Sequence, residues 1–398
     1  MPEETRHCPI LIVGGGTGGI TVAARLRRAR PDLEITILEP SDRHFYQPMW
    51  TLVGAGVKPK ETTLRPEASV IPPGVQWIRD AAEEVLPEER RLRTRDGLVL
   101  EWDRLVLAPG IQLNWDAIPG LAGNVGRNGL CSNYSYETVD STWKAIREFQ
   151  GGRAIFTHPS TPIKCGGAPQ KILYLASDFW RRHKPPGDYQ ATFCIASPSI
   201  FGVAWYAEPL MKVVERYGIE LRTEHDLVAV DAGARRATFR CLDSGEEVEL
   251  EYGMMHVTPP MSAPDFLRRS PVANAEGWIE VDPKTLQHVR YPEVFALGDA
   301  SSLPTSKTGA AIRKQAPVLV ENLLASLDGR PLEAAYDGYT SCPLVTAYGK
   351  VILAEFDYDG NPQETFPFDQ RKERRSMYLL KKYVLPVLYW KGMLRGRA

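Results

Sequence analysis

The sequence predicts an α/β protein with two Rossmann-like, doubly wound domains and amphipathic helices at the C-terminus. Three observations predict this fold class. Residues 10–13 form an apolar run typical of a buried parallel strand, and a glycine-rich turn follows it. A second such run, residues 153–157, also precedes a turn and a helical pattern. Residues 371–398 combine bulky apolar side chains with nine Lys or Arg and one Glu, which is typical of amphipathic surface helices.

The composition excludes several classes of function. The 398 residues carry a net charge of -1, so no global basic field would attract nucleic acid. The six cysteines are scattered without a C-x-x-C pair, and we expect no metal site. No run approaches the roughly 20 apolar residues of a membrane-spanning helix. The short polar start of the chain leads straight into the first strand, which predicts no signal or transit peptide.

The first glycine-rich turn predicts a dinucleotide site. A helical pattern over residues 20–30 and a strand over 34–38 follow the turn and complete a βαβ unit. Glycines let the backbone approach a pyrophosphate, and an acidic residue after the second strand can accept hydrogen bonds from a ribose. The residues that we expect in this site are Gly14, Gly16, Thr17, Gly18, Gly19 and Glu39.

Two downstream motifs indicate which dinucleotide binds. Residues 293–299 resemble the second flavin motif of the two-dinucleotide-binding-domain flavoproteins, which share the fold of the flavoprotein disulfide reductases, and residues 105–110 resemble their linking motif. The resemblance implies FAD. A helix predicted over residues 309–327 would stabilise negative charge on a reduced flavin through its N-terminal dipole. The further FAD-binding residues that we expect are Pro109, Gly110, Gly298, Asp299, Lys307 and Thr308.

The second domain lacks the features of a nicotinamide nucleotide site. The turn after residues 153–157 contains three prolines and no G-x-G-x-x-G pattern, and no acidic residue follows the next strand, residues 190–195. The electron donor is therefore expected to be a smaller molecule. Cys165 stands in place of the phosphate loop, beside Lys164 and just ahead of a helix, and both neighbours favour the reactive thiolate.

Six longer motifs are specific to one flavoprotein family. They are residues 132–135, 161–171, 256–261, 303–308, 339–345 and 352–358. With them, nearly the whole chain resembles the sulfide:quinone oxidoreductases, in particular the subgroup that includes the mitochondrial enzyme of animals. The resemblance implies that Cys165 and Cys342 are two redox cysteines that face the flavin.

The resemblance also implies a mechanism and its partners. Hydrosulfide attacks the bridged pair at Cys342, which leaves a persulfide there and releases Cys165 as a thiolate. The electrons pass through FAD to a quinone, and the sulfane sulfur passes to sulfite, a thiol or further sulfide. Lys164 and Lys307 are the expected electrostatic supports of the thiolate and of the reduced flavin.

Cys131 and two histidines leave alternatives open. Bacterial branches of the family carry a third cysteine near Cys131, so this thiol is a sulfur relay, a flavin attachment point or a spectator. The neighbouring motif follows the two-cysteine subgroup and favours the spectator. His158 and His256 are either proton carriers for quinone reduction or hydrogen-bonded core residues.

The C-terminal region predicts a membrane contact. Residues 377–395 are expected to form two short amphipathic helices that break at Pro386. They lie either on a membrane surface or on the protein's own core, and a quinone substrate favours the membrane. We expect a peripheral, monotopic protein on the cytoplasmic membrane of a bacterium. A homo-oligomer is possible, and the sequence does not decide the oligomeric state. The aromatic residues expected to line a quinone channel are Tyr348, Phe356, Tyr378, Tyr383 and Trp390.

The predicted domains follow these motifs. Residues 1–120 and 286–330 form the two parts of the FAD-binding domain, and residues 121–285 form the second Rossmann-like domain. Residues 331–398 carry Cys342, the quinone site and the membrane-surface helices. Two other functions are weighed: a type II NADH:quinone dehydrogenase, which the missing second glycine motif opposes, and a noncatalytic flavin-binding sulfur carrier, which the two cysteines oppose.

Overall fold

The computed structural model describes residues 4–398, so the first three residues of the predicted domain 1–120 lie outside it. The strands are β1 Thr5–Val13, β2 Ile35–Leu38, β3 Arg43–Phe45, β4 Leu64–Pro66, β5 Gln76–Ile78, β6 Ala82–Leu86, β7 Arg91–Thr94, β8 Val99–Leu107, β9 Gln112–Leu113, β10 Leu130–Cys131, β11 Gly152–His158, β12 Tyr189–Ile195, β13 Glu220–Arg222, β14 His225–Asp231, β15 Arg236–Cys241, β16 Glu247–Glu251, β17 Met254–His256, β18 Met261–Ser262, β19 Val294–Ala296, β20 Thr340–Ala347 and β21 Lys350–Phe356. The helices are α1 Thr17–Ala29, α2 Trp50–Val53, α3 Val139–Glu148, α4 Ala168–Arg182, α5 Ala204–Tyr217, α6 Asp265–Arg268, α7 Gly309–Leu327, α8 Arg375–Leu379 and α9 Leu385–Val387.

The first sheet carries the glycine-rich turn. Its strands run in the order β5-β2-β1-β8-β7-β6, and β19 pairs in parallel with the carboxyl end of β8. β1 pairs in parallel with β2 on one side and with β8 on the other. Its residues 10–13 are buried, which explains why this strand is a continuous apolar run. The carboxyl ends of β1, β8 and β19 therefore meet at one edge of the sheet.

The second sheet is parallel throughout, in the order β10-β17-β11-β12-β13, whereas β6, β7 and β8 pair antiparallel in the first sheet. The antiparallel sheet β14-β15-β16 accompanies it. α4 follows β11 in the chain, and most of its side chains from Pro169 to Asp178 are buried. This order places the loop with Cys165 at the carboxyl end of β11 and at the N-terminus of α4.

The hairpin of β20 and β21 brings Cys342 to the same place. The two strands are antiparallel, and Cys342 aligns with Ala354. β20 packs along α4, with Cys342 and Leu344 buried. Two cysteines that are far apart in the sequence thus meet where the hairpin covers the start of α4.

The C-terminal region forms one continuous helical run, residues 375–395, which we call the tail helix. The expected break at Pro386 is wrong. π-helical turns over Leu380–Val384 and Leu388–Gly392 flank the short α9, and their wider winding accommodates a residue that has no N–H. Within residues 4–398, no helix has both the length and the apolar character to cross a membrane.

The tail helix has two apolar faces. One face packs on the core of the protein through Met377, Tyr378, Lys381, Tyr389, Trp390, Met393 and Leu394. The other face exposes four large apolar side chains, which are Leu379, Tyr383, Val384 and Val387. The tail helix therefore packs on the protein's own core, which is one of the two alternatives expected from the sequence. It also leaves an apolar surface exposed to solvent.

Candidate active site

The three motifs expected to bind FAD lie together at the edge of the first sheet. Val13, Leu107 and Ala296 end β1, β8 and β19 and are adjacent in register. Gly14 follows Val13 directly, and Gly298 follows Ala296 by two residues. Because ligands of parallel sheets bind outside the carboxyl ends of the strands, this edge is the expected place of a dinucleotide.

The glycine-rich turn is tightly packed on one side and open on the other. Gly14 has a φ of +102°, and a Cβ atom there would lie 2.4 Å from the carbonyl oxygen of Ala108. A Cβ atom on Gly19 would lie 1.9 Å from the carbonyl oxygen of Gly14. At Gly16 no atom lies within 4 Å of the Cβ position. The backbone at Gly16 is thus accessible to a pyrophosphate, as FAD requires.

Two half-buried carboxylates, Glu39 and Asp299, are the candidate acceptors for the hydroxyl groups of FAD. Glu39 accepts hydrogen bonds from the backbone N–H groups of Gly15 at 2.7 Å and Ser41 at 2.8 Å, which orient it, while burial raises its pKa. Asp299 accepts no side-chain hydrogen bond within residues 4–398, and burial raises its pKa as well. A half-buried carboxylate without a side-chain donor in the described part of the chain is available to accept a hydrogen bond from a ligand hydroxyl.

Lys307 and Thr308 lie between the edge of the first sheet, where FAD is expected to bind, and the two cysteines. Nζ of Lys307 donates to the carbonyl oxygen of Ser301 at 3.1 Å, and burial lowers the pKa of this lysine to about 8. Oγ1 of Thr308 accepts from the N–H of Ala311 at 3.1 Å and caps α7. The same hydroxyl lies 2.9 Å from Oγ1 of Thr340 in β20. The side chain of Thr308 therefore holds the start of α7 against the hairpin.

Cys165 and Cys342 form a close thiol pair. Their Sγ atoms lie 3.4 Å apart, and both are free thiols. Cys165 has a φ of +60°, an unusual conformation for a residue with a side chain, and its N–H donates to the carbonyl oxygen of Lys307 at 2.8 Å. Gly167 permits the approach, because a Cβ atom there would lie 2.6 Å from Sγ of Cys342. The fold thus holds two thiols where a disulfide can close.

Lys171, which the sequence reasoning missed, contacts the pair directly. Its Nζ donates to Sγ of Cys165 at 3.0 Å, and the residue is 3% exposed. The hydrogen bond from Cys342 lowers the pKa of Cys165 well below its usual value, and the Lys171 charge assists against the opposing effect of burial. The hydrogen bond to Cys165 and burial raise the pKa of Cys342. Of the two sulfur atoms, the thiolate form is favoured at Cys165, which Lys171 contacts.

A signal for Lys171 exists in the sequence. It stands in the first turn of α4, next to a buried stretch that is largely apolar, residues 172–177. A cation that is almost fully buried must have a charged partner. Burial favours a low pKa for Lys171, but the charges of Cys165 and Cys342 outweigh it and raise the pKa above its usual value.

Lys164 points away from the thiols. Its Nζ donates to Oε1 of Gln47 at 2.8 Å and lies 5.1 Å from the ring centre of Trp50. Burial lowers the pKa of Lys164 to about 8. The contact expected of Lys164 is thus made by Lys171, because the loop directs Lys164 toward the first domain and the turn of α4 returns Lys171 to the sulfur.

A further lysine comes from the tail helix. Lys381 is 4% exposed, and its Nζ donates to the carbonyl oxygen of Pro48 at 3.2 Å. Burial lowers its pKa to about 7, and the charge of Lys171 adds to this effect. The tail helix therefore contributes a titratable cation to the electrostatic surroundings of the thiol pair.

Cys131 and His256 are buried, and His158 is half-buried. Cys131 lies in β10 opposite His256 of β17, and burial raises the pKa of its thiol to about 12. Burial lowers the pKa of His256 to about 3, and Nε2 lies 2.9 Å from Oδ1 of Asn133. Burial also lowers the pKa of His158. These surroundings favour a spectator thiol and core histidines over a relay and proton carriers.

The aromatic residues expected at a quinone channel lie in different surroundings. Tyr348 lies near Tyr378, and its hydroxyl donates to a backbone carbonyl at 2.7 Å. Phe356 ends β21 and packs edge-on against another phenylalanine ring at 5.9 Å. Trp390 is buried against the core, whereas Tyr383 is 51% exposed. The quinone channel therefore stays a prediction.

The comparisons with known proteins agree with this geometry. Residues 8–142 match the family model described as pyridine nucleotide-disulphide oxidoreductase. The mitochondrial sulfide:quinone oxidoreductase of Mus musculus is 49% identical over 392 residues, which cover 98% of this chain and 87% of that protein. This chain belongs to the sulfide:quinone oxidoreductase family.

Two further members support the assignment. The mitochondrial sulfide:quinone oxidoreductase of Dictyostelium discoideum is 45% identical over 98% of this chain and 86% of that protein. The X-ray structure of the sulfide:quinone oxidoreductase from Aquifex aeolicus has a TM-score of 0.83 at 20% identity, covers 98% of this chain and 92% of that chain, and shows the common fold. The predicted family and the predicted α/β fold are thereby confirmed.

The sulfide:quinone oxidoreductase family binds FAD, and the edge of the first sheet fits this cofactor. The two relatives with the higher identities are mitochondrial proteins of eukaryotes. The comparisons therefore do not support the expectation of a bacterial protein. Peripheral association is consistent with the family and with the apolar surface that the tail helix leaves open.

Proposed function

We propose that the protein oxidises sulfide at the Cys165–Cys342 pair and delivers the electrons to a quinone. The observation that carries this proposal is the thiol pair itself, with Sγ atoms 3.4 Å apart and Nζ of Lys171 3.0 Å from Cys165. A disulfide closed between these atoms is an electrophile suited to a small anionic nucleophile such as hydrosulfide.

The two cysteines have different roles in this step. Thiol–disulfide exchange proceeds faster when the leaving thiol has the lower pKa. The pKa of Cys165 is lowered and that of Cys342 is raised, so Cys165 is the better leaving group. Hydrosulfide therefore bonds to Sγ of Cys342, the bond between the cysteines breaks, and Cys165 departs with the electron pair as a thiolate. Cys342 carries a persulfide that keeps the proton of hydrosulfide.

Lys171 stabilises the thiolate that this step produces. Its ammonium group lies within hydrogen-bond distance of Cys165 in a buried setting, where a charge pair is screened less than in water. A sulfur acceptor then takes the outer sulfur from Cys342, which departs as a thiolate, and sulfite, a thiol or further sulfide suits this role. The two thiolates are then in place to re-form their bond.

The cofactor site supports the redox half of the proposal. When bound, FAD accepts the two electrons that are released as the cysteines re-form their bond and passes them to quinone. The residues proposed to hold FAD are Gly14, Gly16, Thr17, Gly18, Gly19, Glu39, Pro109, Gly110, Gly298 and Asp299, with Lys307 and Thr308 at the start of α7. The dipole of α7 and the charge of Lys307 add positive potential beside Asp299.

We also propose that the tail helix lies on the membrane that supplies the quinone. Its exposed side chains Leu379, Tyr383 and Val387 recur every four residues, and exposed cations such as Lys391 and Arg395 follow them. Apolar groups of this kind enter the lipid interface, and cations meet anionic head groups.

Substitution of either cysteine tests the sulfide reaction. Cys165→Ala and Cys342→Ala are each expected to retain FAD and to lose sulfide-dependent quinone reduction, measured with purified protein under anaerobic conditions. Cys194→Ala is the matched control, because this thiol is buried in β12 and burial raises its pKa to about 12. Wild-type turnover in either of the first two variants would refute the proposal.

A further inference from the structure

The C-terminal segment, residues 385–398, is bonded to the glycine-rich turn. The hydroxyl of Tyr389 lies 3.0 Å from Oγ1 of Thr17 and 2.6 Å from Nε2 of His44. Thr17 is the first residue of α1, the helix whose N-terminus attracts a pyrophosphate. Burial raises the pKa of Tyr389, so its hydroxyl keeps the proton that these bonds need. The end of the chain thus contacts the part of the molecule that is expected to hold FAD.

His44 extends this contact into the turn. Its Nδ1 lies 3.0 Å from the carbonyl oxygen of Gly15 and 3.2 Å from Oε2 of Glu67. Both neighbours are acceptors, so Nδ1 carries a proton, and the side chains of His44 and Glu67 are each 2% exposed. A buried chain of hydrogen bonds therefore runs from Tyr389 through His44 to the backbone of the turn.

The remaining oxygen of Glu67 also faces the turn. Oε1 of Glu67 is buried without a hydrogen-bond partner among the described residues. A Cβ atom on Gly15 would lie 2.5 Å from this oxygen. An unpaired buried carboxylate oxygen is unfavourable, so a hydrogen-bond donor brought to the turn by a ligand or by solvent would stabilise Glu67.

A second contact fixes the end of the segment on α1. Gly396 has a φ of +64°, and a Cβ atom there would lie 2.8 Å from the backbone carbon of Ala24. A guanidinium nitrogen of Arg25 donates to the backbone oxygen of Ala398 at 2.7 Å. The segment is therefore attached to the FAD-binding unit at two places, Tyr389 and its last three residues.

We propose that the C-terminal segment completes the FAD site, so that FAD is released only after Tyr389 separates from Thr17 and His44. By linkage, a segment that strengthens the binding of FAD is itself held more firmly when FAD is bound. Tyr389 is a positioning residue here, since it acts through the turn. The inference rests on FAD as the cofactor and not on the sulfide step or the membrane contact.

Removal of one hydroxyl tests the inference. Tyr389→Phe keeps the ring and deletes both hydrogen bonds, and we expect the holoenzyme to lose FAD about fivefold faster than the wild type, followed by the fluorescence of the released FAD after dilution. Tyr206→Phe is the matched control, because its buried hydroxyl bonds to the backbone of Glu355 at 3.0 Å instead. Equal rates in the two variants would overturn the inference.

A second variant loosens the other attachment. Gly396→Ala is expected to accelerate the loss of FAD, because the new methyl group collides with the backbone of α1. Gly218→Ala introduces the same strain at a φ of +61°, with no atom within 4 Å of its Cβ position, and is expected to release FAD at the wild-type rate. Identical release from these two variants would also contradict the inference.

A third test uses the wild-type protein, so no substitution can impair folding. Hydrogen exchange is measured on residues 385–398 in the apoprotein and in the holoenzyme, and FAD is expected to slow exchange there but not in β14–β16. Unchanged exchange in the segment would overturn the inference. With excess FAD, Tyr389→Phe is expected to recover sulfide-dependent quinone reduction. Release rates and hydrogen exchange test this inference, whereas sulfide-dependent reduction tests the proposed function, so failure of one is distinguishable from failure of the other.

Discussion

We expect the reactivity of Cys165 to depend on the charge of Lys171 as well as on the hydrogen bond from Cys342. Nζ of Lys171 lies 3.0 Å from the sulfur of Cys165, and Lys171 is itself buried, so their attraction is screened less than in water. Lys171→Met keeps the apolar length and removes the charge. Because a thiolate without its cation is less stable, the pKa of Cys165 is expected to rise, and the pH midpoint for alkylation of the reduced protein by iodoacetamide should increase by about one to two pH units.

Lys164→Met is the control for this prediction. Lys164 stands next to Cys165 in the sequence, but its Nζ bonds to Gln47 at 2.8 Å. Its removal should leave the alkylation midpoint close to that of the wild type. A larger increase for Lys164→Met than for Lys171→Met would assign thiolate stabilisation to Lys164, as expected from the sequence alone.

The same two lysines show how far residue-level prediction reaches. The glycines of the turn and Glu39 follow from spacing, because a βαβ unit fixes their positions locally. Adjacency to Cys165 pointed to Lys164, yet side-chain direction depends on the backbone of the loop. That backbone has a φ of +60° at Cys165, which no local pattern encodes.

At the scale of a single element, the tail helix is expected to bind lipid through its exposed face. Val384 and Val387 are 52% and 54% exposed, so aspartate at both positions leaves the core intact. The double variant Val384→Asp with Val387→Asp should bind anionic vesicles at least about tenfold more weakly, because apolar insertion is lost and negative charges face the lipid. Vesicle co-sedimentation measures this.

A matched pair of substitutions controls for charge alone. Leu242 and Val289 are 46% and 53% exposed on other parts of the surface. Their double replacement by aspartate adds the same charge and should leave vesicle binding unchanged. Equal loss of binding in both double variants would show that net charge, and not the tail helix, governs the association.

The tail helix also shows the limit of reading elements from composition. The mixture of cations and apolar residues predicted helices correctly, but it could not separate the face that packs on the core from the face that is open. Pro386 suggested a break because its ring opposes an α-helix. The π-helical turns beside it depend on packing against the core, through residues such as Tyr389 and Trp390, which only the folded chain supplies.

For the whole molecule, the position of Cys342 depends on topology. Its local sequence indicates little, and its pairing with Cys165 was expected only from family resemblance. In the fold, the hairpin β20–β21 covers α4, and Sγ of Cys342 occupies the space that a side chain at Gly167 would need. The position of the FAD-binding motifs was predictable, because the carboxyl ends of parallel strands bring them together. The position of the β20–β21 hairpin on α4 was not predictable from local sequence.

This docking also determines which electron donor the molecule accepts. In a domain that binds NADH, the N-terminus of the helix after the first strand must be open to a pyrophosphate. Here the corresponding helix is α4, and its N-terminus is covered by the loop of Cys165 and by Cys342, with Leu344 also 2.4 Å from the Cβ position of Gly167. Hydrosulfide needs no such pocket, because it reacts with sulfur atoms directly.

We therefore expect NADH, added in excess under anaerobic conditions, to leave the visible absorbance of the bound flavin unchanged. Sulfide added to the same sample should then bleach it, which shows that the protein is competent and serves as the internal control. Cys342→Ala removes the sulfur atom that lies against the start of α4. The variant still lacks the glycines and the acidic residue that a nicotinamide nucleotide requires. We therefore expect the Cys342→Ala protein to remain unreactive toward NADH. Bleaching by NADH in the wild type would mean that the second domain binds a nucleotide despite its closed turn.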